Sequence, residues 1–185
     1  MHFKKKENNQ SGFTLAELVI SVAVIVIISA MSLVSFRSTN KSGSSSMAAQ
    51  KLASDIRKIQ GWALSLKDFD NSISNQSWGI YFRKDSDNYS FYIDSDNNQV
   101  CSSNCGSASS ERQGEAIKIL NNLKINDILL DGVSQSRGQV VFNPPEPLIF
   151  ICQNNSSQCN YNEIKIILEG GFSVLVNKYG LVDVD

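Results

Sequence analysis

The sequence predicts an α+β protein: a long amino-terminal helix followed by an antiparallel β-sheet domain. Three observations predict this. Residues 18–36 carry no charge, and at about 1.5 Å per residue that run makes a helix roughly 29 Å long. Next, MAAQKLASDIRKIQGWALSL (47–66) repeats apolar residues at steps of three and four, the period of an amphipathic helix. From residue 77 onward, short runs of Val, Ile, Tyr and Phe alternate with Gly, Asn, Asp and Pro, as antiparallel strands and their turns do. Helix first and strands afterwards is the α+β order, not the alternation of a parallel α/β sheet.

Charge divides unevenly along the 185 residues. The first twelve hold Lys4, Lys5 and Lys6 against Glu7, and the rest of the chain sums to −3. A mildly acidic body with no evident basic face makes nucleic acid an unexpected partner. The single histidine is His2. Without the leader no imidazole remains, which removes Ser–His and Cys–His nucleophile pairs and the commonest zinc ligand. No catalytic constellation stands out, and no enzyme activity is expected.

The apolar run matches the roughly 30 Å hydrocarbon thickness of a bilayer, so a spanning helix is expected. Nine of its 19 residues are Val or Ile, poor helix formers in water, but in lipid a helix is the local way to satisfy the backbone. Lysines precede the run and Arg37 closes it. The denser positive side keeps the amino terminus in the cytoplasm and exports the body. A cleavable signal peptide would instead need a shorter apolar region and a small-residue cleavage site, and SAMSLVSFR offers no clean one. At the start of the run, Gly12 precedes Phe13-Thr14-Leu15-Ala16-Glu17. A carboxylate there is costly without a cationic partner and is functional by default.

Three lysines, a polar leader, G-F-T-L-A-E and about twenty apolar residues resemble the amino terminus of type IV prepilins. The resemblance implies a leader at 1–12, a transmembrane and assembly helix at 13–37 and an exported globular domain at 38–185. It further implies cleavage after Gly12 by prepilin peptidase and methylation of the new amino group of Phe13. Glu17 would then meet the Phe13 amine of a neighbouring subunit, a pairing that a low dielectric strengthens. The other reading of Glu17 is that it snorkels to the interface. Many major pilins carry a proline in the second half of this helix. The run here has neither proline nor glycine, which leaves minor pilin or pseudopilin status open.

Past Arg37, STNKSGSSS reads either as a soft stretch of one long helix or as a short break. In the following helix, Ala49, Leu52, Ile56, Ile59, Ala63 and Leu66 line one face, with Lys51, Asp55 and Lys58 placed off it. That stripe is expected to pack on the sheet. SWGIYFRK (77–84) and NYSFYID (88–94) read as a hairpin around Asp85-Ser86-Asp87-Asn88. Further strands are expected at 116–120, 127–132, 138–143, 148–152, 162–170, 172–178 and 181–184. Pro144, Pro145 and Pro147 separate two of them, since proline lacks a ladder donor. Gly170-Gly171 and Tyr179-Gly180 suit tight turns. The W-G-I-Y-F strand, the V-V-F-N-P segment and the closing F-S-V-L-V-N-K-Y-G-L-V pattern resemble H-type minor pseudopilins of type II secretion and FimT-like pilins. Some relatives bind DNA through a basic carboxy-terminal stretch, but LVDVD here is acidic.

Cys101, Cys105, Cys152 and Cys159 are even in number, and export favours disulfides. Pairs Cys101–Cys105 and Cys152–Cys159 each flank a polar loop. Zinc is the rival reading, with spacings poor for a ribbon. Asp94, Asp96 and Asn98 offer oxygens at alternate residues, as the start of a calcium loop does, but Gln99 and Cys105 stand where an EF-hand needs Gly and Glu. No other cofactor is expected. The reading is therefore a structural subunit of a type IV pilus or type II secretion pseudopilus. Its partners are other pilin or pseudopilin subunits, prepilin peptidase and an inner-membrane assembly platform, and it leaves the inner membrane for an extracytoplasmic filament. The alternative is a tip-located minor pilin that binds DNA, a surface or a secreted substrate.

Overall fold

A computed structural model of the chain describes residues 12, 14–65, 76–96, 98–101, 105, 111, 113–144, 148–153 and 159–185, with the side chains of 31–41 excepted. The chain divides into two units, Met1–Asn40 and Lys41–Asp185. Helix α1 (Leu15–Leu64) contributes residues to both. Its backbone is helical throughout 38–46, so the polar STNKSGSSS stretch is no break.

In the first unit, every described side chain from Thr14 to Ala30 is exposed, including Leu18, Ile20, Ile25 and Ile28. A helix that is apolar on all sides needs lipid or neighbouring helices around it. Among the described residues no helix is long and apolar enough to cross a membrane. The side chains described in the apolar run end at Ala30, so the span expected over 13–37 extends beyond them.

The second unit is an α+β domain with, among the described residues, ten strands: β1 (Ser77–Arg83), β2 (Asn88–Asp94), β3 (Ile117–Lys118), β4 (Ile125–Leu130), β5 (Val133–Gln135), β6 (Arg137–Asn143), β7 (Leu148–Gln153), β8 (Glu163–Leu168), β9 (Ser173–Asn177) and β10 (Val182–Val184). They form two antiparallel sheets. One has the order β3-β2-β1-β6-β7 and the other β10-β9-β8-β4-β5. The sequence reading had foreseen a single sheet. The two sheets come close where β6 passes β4 and β8: a Cβ on Gly138 would lie 2.7 Å from Ile164 and 3.0 Å from Ile128. The hairpin turn after β1 also reaches across, since Asp85 N–H donates to Ile125 O and Ile125 N–H donates to Ser86 O, at 2.8 and 2.9 Å.

One core joins the helix to both sheets. Ala49, Leu52, Ile56, Ile59 and Ala63 are fully or almost fully buried, so the stripe packs as expected, while Leu66 lies outside the described residues. They meet Ile80, Phe82 and Val140 of the first sheet and Ile128, Ile164 and Val176 of the second. Arg57 and Gln60 donate to the carbonyls of Val182 and Gly180, which ties the helix to the β9–β10 turn.

Asp55 departs from its expected place off the stripe. It is 4% exposed and receives Tyr89 Oη–H at 2.5 Å and Lys51 Nζ at 2.5 Å. Position 55 lies three residues from Leu52 and four from Ile59, so it shares their face, and two charge-assisted hydrogen bonds offset its burial. Some strand bounds also differ. Only Ile117–Lys118 of 116–120 is extended, followed by a 3-10 turn at Leu120–Asn122. The strand foreseen at 127–132 starts at Ile125 and ends at Leu130. Asp131 and Gly132, with φ of 46° and 81°, then form a two-residue hairpin turn of the kind Asp-Gly favours, and lead into β5, which the sequence reading missed.

Candidate assembly site at the helix start and the carboxylate loop

The start of α1 is built by a reciprocal cap. Thr14 sits at the N-cap and Glu17 at the third helical position, the T-x-x-E spacing of a capping box. Glu17 N–H donates to Thr14 Oγ1 at 3.2 Å. In return Glu17 Oε2 accepts from Thr14 N at 3.2 Å and from Thr14 Oγ1 at 3.1 Å. Two otherwise orphaned amides are satisfied, and the carboxylate lies beside the positive end of the helix dipole. Ser21 Oγ donates to Glu17 O at 2.7 Å. Gly12 is exposed and a Cβ there would meet nothing within 4 Å. The fold therefore places no steric demand for glycine at this position. Phe13 and residues 1–11 lie outside the described residues.

A second group of candidate side chains lies on the outer face of the first sheet. Tyr92 is fully buried there. Its ring lies against Gly79, whose Cβ would come within 2.2 Å of it, and its hydroxyl hydrogen-bonds Gln139 Oε1 at 3.1 Å. Cys101 N–H donates to the same oxygen at 3.0 Å. Cys101–Cys105 and Cys152–Cys159 are disulfide-bonded. Cys101 and Cys105 are buried with Tyr81, Tyr92 and Val141 in a small second core, and the sulfurs of Cys152 and Cys159 lie 3.3 and 3.9 Å from Gln99 O. With all four sulfurs oxidised, no thiolate remains to ligate zinc.

Asp94, Asp96 and Glu111 each place a carboxylate oxygen within 4.8 Å of the others. Glu111 was not foreseen. The long polar stretch before it gave no signal that it would return to β2, where Glu111 O accepts from Ile93 N at 2.9 Å. Asn98 acts mainly as a donor in this loop. Its backbone N–H reaches Asp94 and its amide reaches Asp96, while its own Oδ1 accepts from Val100 N. Burial pushes Asp94 up to about 6, against the lowering effect of the Gln99 and Asn98 amides and with further raising by Asp96. Burial likewise raises Tyr92, helped by the charges of Asp94 and Glu111. Crowded carboxylates of this kind hold a shared proton or a hard divalent cation equally well.

The helix start is the part that comparison with known proteins identifies. Residues 8–33 match the prokaryotic N-terminal methylation motif. This is the type IV prepilin-like signal, as carried by pilins and pseudopilins. Gly12, Thr14 and Glu17 all fall inside the methylation motif, and the carboxylate loop falls outside it. No curated protein and no solved structure matches the chain. The methylation motif supports a processed, pilin-like structural subunit, and its capping box is the feature the sequence reading did not single out, although T-x-x-E is visible in the sequence.

Proposed function

We propose that the chain is a structural subunit of a type IV pilus or type II secretion pseudopilus. In this reading prepilin peptidase cuts after Gly12 at the cytoplasmic face of the inner membrane, and the new amino group of Phe13 is methylated. The helix over 13–37 waits in the bilayer with the body exported, until an assembly platform lifts the subunit into a filament. The observation that carries the reading is the methylation motif over residues 8–33, read with the open surroundings of Gly12.

The capping box supplies a mechanism for Glu17. Before assembly the carboxylate is occupied by Thr14 of its own chain, so it is not left bare in a medium where an unpaired charge costs several kcal/mol. Cleavage creates a cation at Phe13. Glu17 can then exchange its two contacts with Thr14 for the amine of an adjacent subunit, and the axial offset between subunits follows from that pairing. The exposed Val, Ile and Leu side chains of the same helix supply the packing surface.

The test is expression in a cell with the cognate peptidase and filament machinery. Gly12→Ala should retain the twelve-residue leader, read by mass spectrometry of the intact chain. Glu17→Ala should lose the leader normally yet enter sheared filaments poorly. Normal processing of the first variant would overturn the cleavage site, and normal filament recovery of the second would overturn the pairing.

A further inference from the structure

Four residues before Ala49, the buried stripe of α1 reaches Ser45, the next position on the same face. Ser45 is fully buried, and among the described residues its hydroxyl finds no hydrogen-bond partner. A buried hydroxyl without a partner destabilises the state that buries it. Alanine fills the neighbouring buried positions Ala48, Ala49, Ala53 and Ala63. A methyl group is thus the ordinary filling of this helix face, and at position 45 a hydroxyl takes its place.

The turn around Ser45 is also a poor helix former by composition. Ser42-Gly43-Ser44-Ser45-Ser46 combines hydroxyls that compete for backbone partners with a glycine that loses much freedom on becoming helical. Adjacent Gly and Ser are a recurrent cause of helix kinks. Ser42 and Gly43 are exposed, and Ser44 and Ser46 are half-buried. The apolar core begins only at Ala48. Unwinding this turn therefore gives up no apolar burial, the contribution that holds most protein helices together, and it lets the Ser45 hydroxyl reach water. Beyond the turn, Leu52, Ile56 and Ile59 fix the helix in the core. The division of the chain into two units falls just ahead, between Asn40 and Lys41.

We propose that residues 42–46 form a joint in α1, which opens by local unwinding and lets the domain beyond it tilt on the amino-terminal half of the helix. A few small residues that absorb a backbone change while both flanks stay regular are the usual make-up of a hinge. The stranded hydroxyl biases the joint towards opening, because only the closed state leaves it without a partner. The joint does not rest on the filament reading, since a chain that stayed in the membrane would carry it too. Within a filament it lets apolar helices align with their neighbours while the domains keep contacts of their own.

The experiment is hydrogen exchange on the full-length chain in detergent micelles, followed amide by amide. Amides 43–47 should exchange at least about tenfold faster than those of 52–59. Ser45→Ala should slow them by about tenfold or more, because helix propensity and the loss of a stranded hydroxyl both favour the closed turn. Ser42→Ala makes the same change at an exposed position, gains propensity alone and should slow them only about two- to threefold. Nitroxides on Val26→Cys and Gln50→Cys, both exposed positions, would stand roughly 36 Å apart along a straight helix. The labelled parent should show a broad distance distribution, and Gly43→Ala, Ser44→Ala and Ser45→Ala together should narrow it to that value. Protection of 43–47 equal to that of 52–59 would overturn the joint, as would equal widths in the two labelled chains. Equal slowing by Ser42→Ala and Ser45→Ala would overturn the part given to the Ser45 hydroxyl.

Discussion

Thr14 and Glu17 hold each other, so the cap can be weakened without touching the carboxylate. Thr14→Ala removes the hydroxyl that accepts from Glu17 N–H and donates to Glu17 Oε2. Loss of an N-cap of this type costs about 1 kcal/mol of local helix stability. Faster amide hydrogen exchange over residues 15–18 is the expected signature, with the rest of α1 unchanged. Equal protection in parent and variant would mean that the cap does not order this end. At Asp94 the titration has a definite sign. Its folded pKa of about 6 stands above the ordinary carboxylate value, so the folded state holds the proton more tightly than the unfolded chain does. Stability from this group is therefore greatest below about pH 4, falls as pH rises towards about 6, and is flat beyond that. Urea denaturation across this range should show a fall on the order of 1–3 kcal/mol that Asp94→Asn abolishes. A parent and variant with parallel profiles would show that the proton sits elsewhere in the Asp94–Asp96–Glu111 group.

Helix α1 and the two sheets show how far periodicity reaches. The Ala49–Leu52–Ile56–Ile59–Ala63 stripe and the 77–94 hairpin were legible, because 3.6-residue and two-residue repeats report which face is buried. The split into two sheets was not. It depends on which strands pair, and pairings such as β1 with β6 and β4 with β8 join residues far apart in sequence. β5 was readable in principle, since Asp131-Gly132 is a strong hairpin signal, but Val133–Gln135 is too short to show alternation. Thr14 and Glu17 were readable as a motif, whereas Glu111 was not, because nothing local marks the return of a polar loop to a strand. Asp55 shows the opposite failure: charge was taken as a guide to exposure, yet Tyr89 and Lys51 make its burial tolerable. Tyr89→Phe should then leave a buried carboxylate one donor short and cost about 1–3 kcal/mol, measured by thermal or urea denaturation. A neutral outcome would show that Lys51 alone satisfies Asp55.

At the scale of the whole molecule, the topology proposed above puts the amino terminus inside and the body outside the cytoplasm, where disulfides persist. The expected outcome is that the chain isolated from the cell envelope takes up four alkyl groups only after reduction. Uptake before reduction would place the body in a reducing compartment and remove the export step. Three of the four sheet edges are very short: two residues in β3 and three each in β5 and β10. Such stubs give a passing strand little to grip. The fourth edge, β7, runs for six residues and, among the described residues, pairs with β6 alone. When the domain is concentrated or heat-stressed, unwanted lateral polymerisation should begin along that one seam, and a lysine introduced at the exposed Leu148 is where a more soluble form of the protein is to be sought.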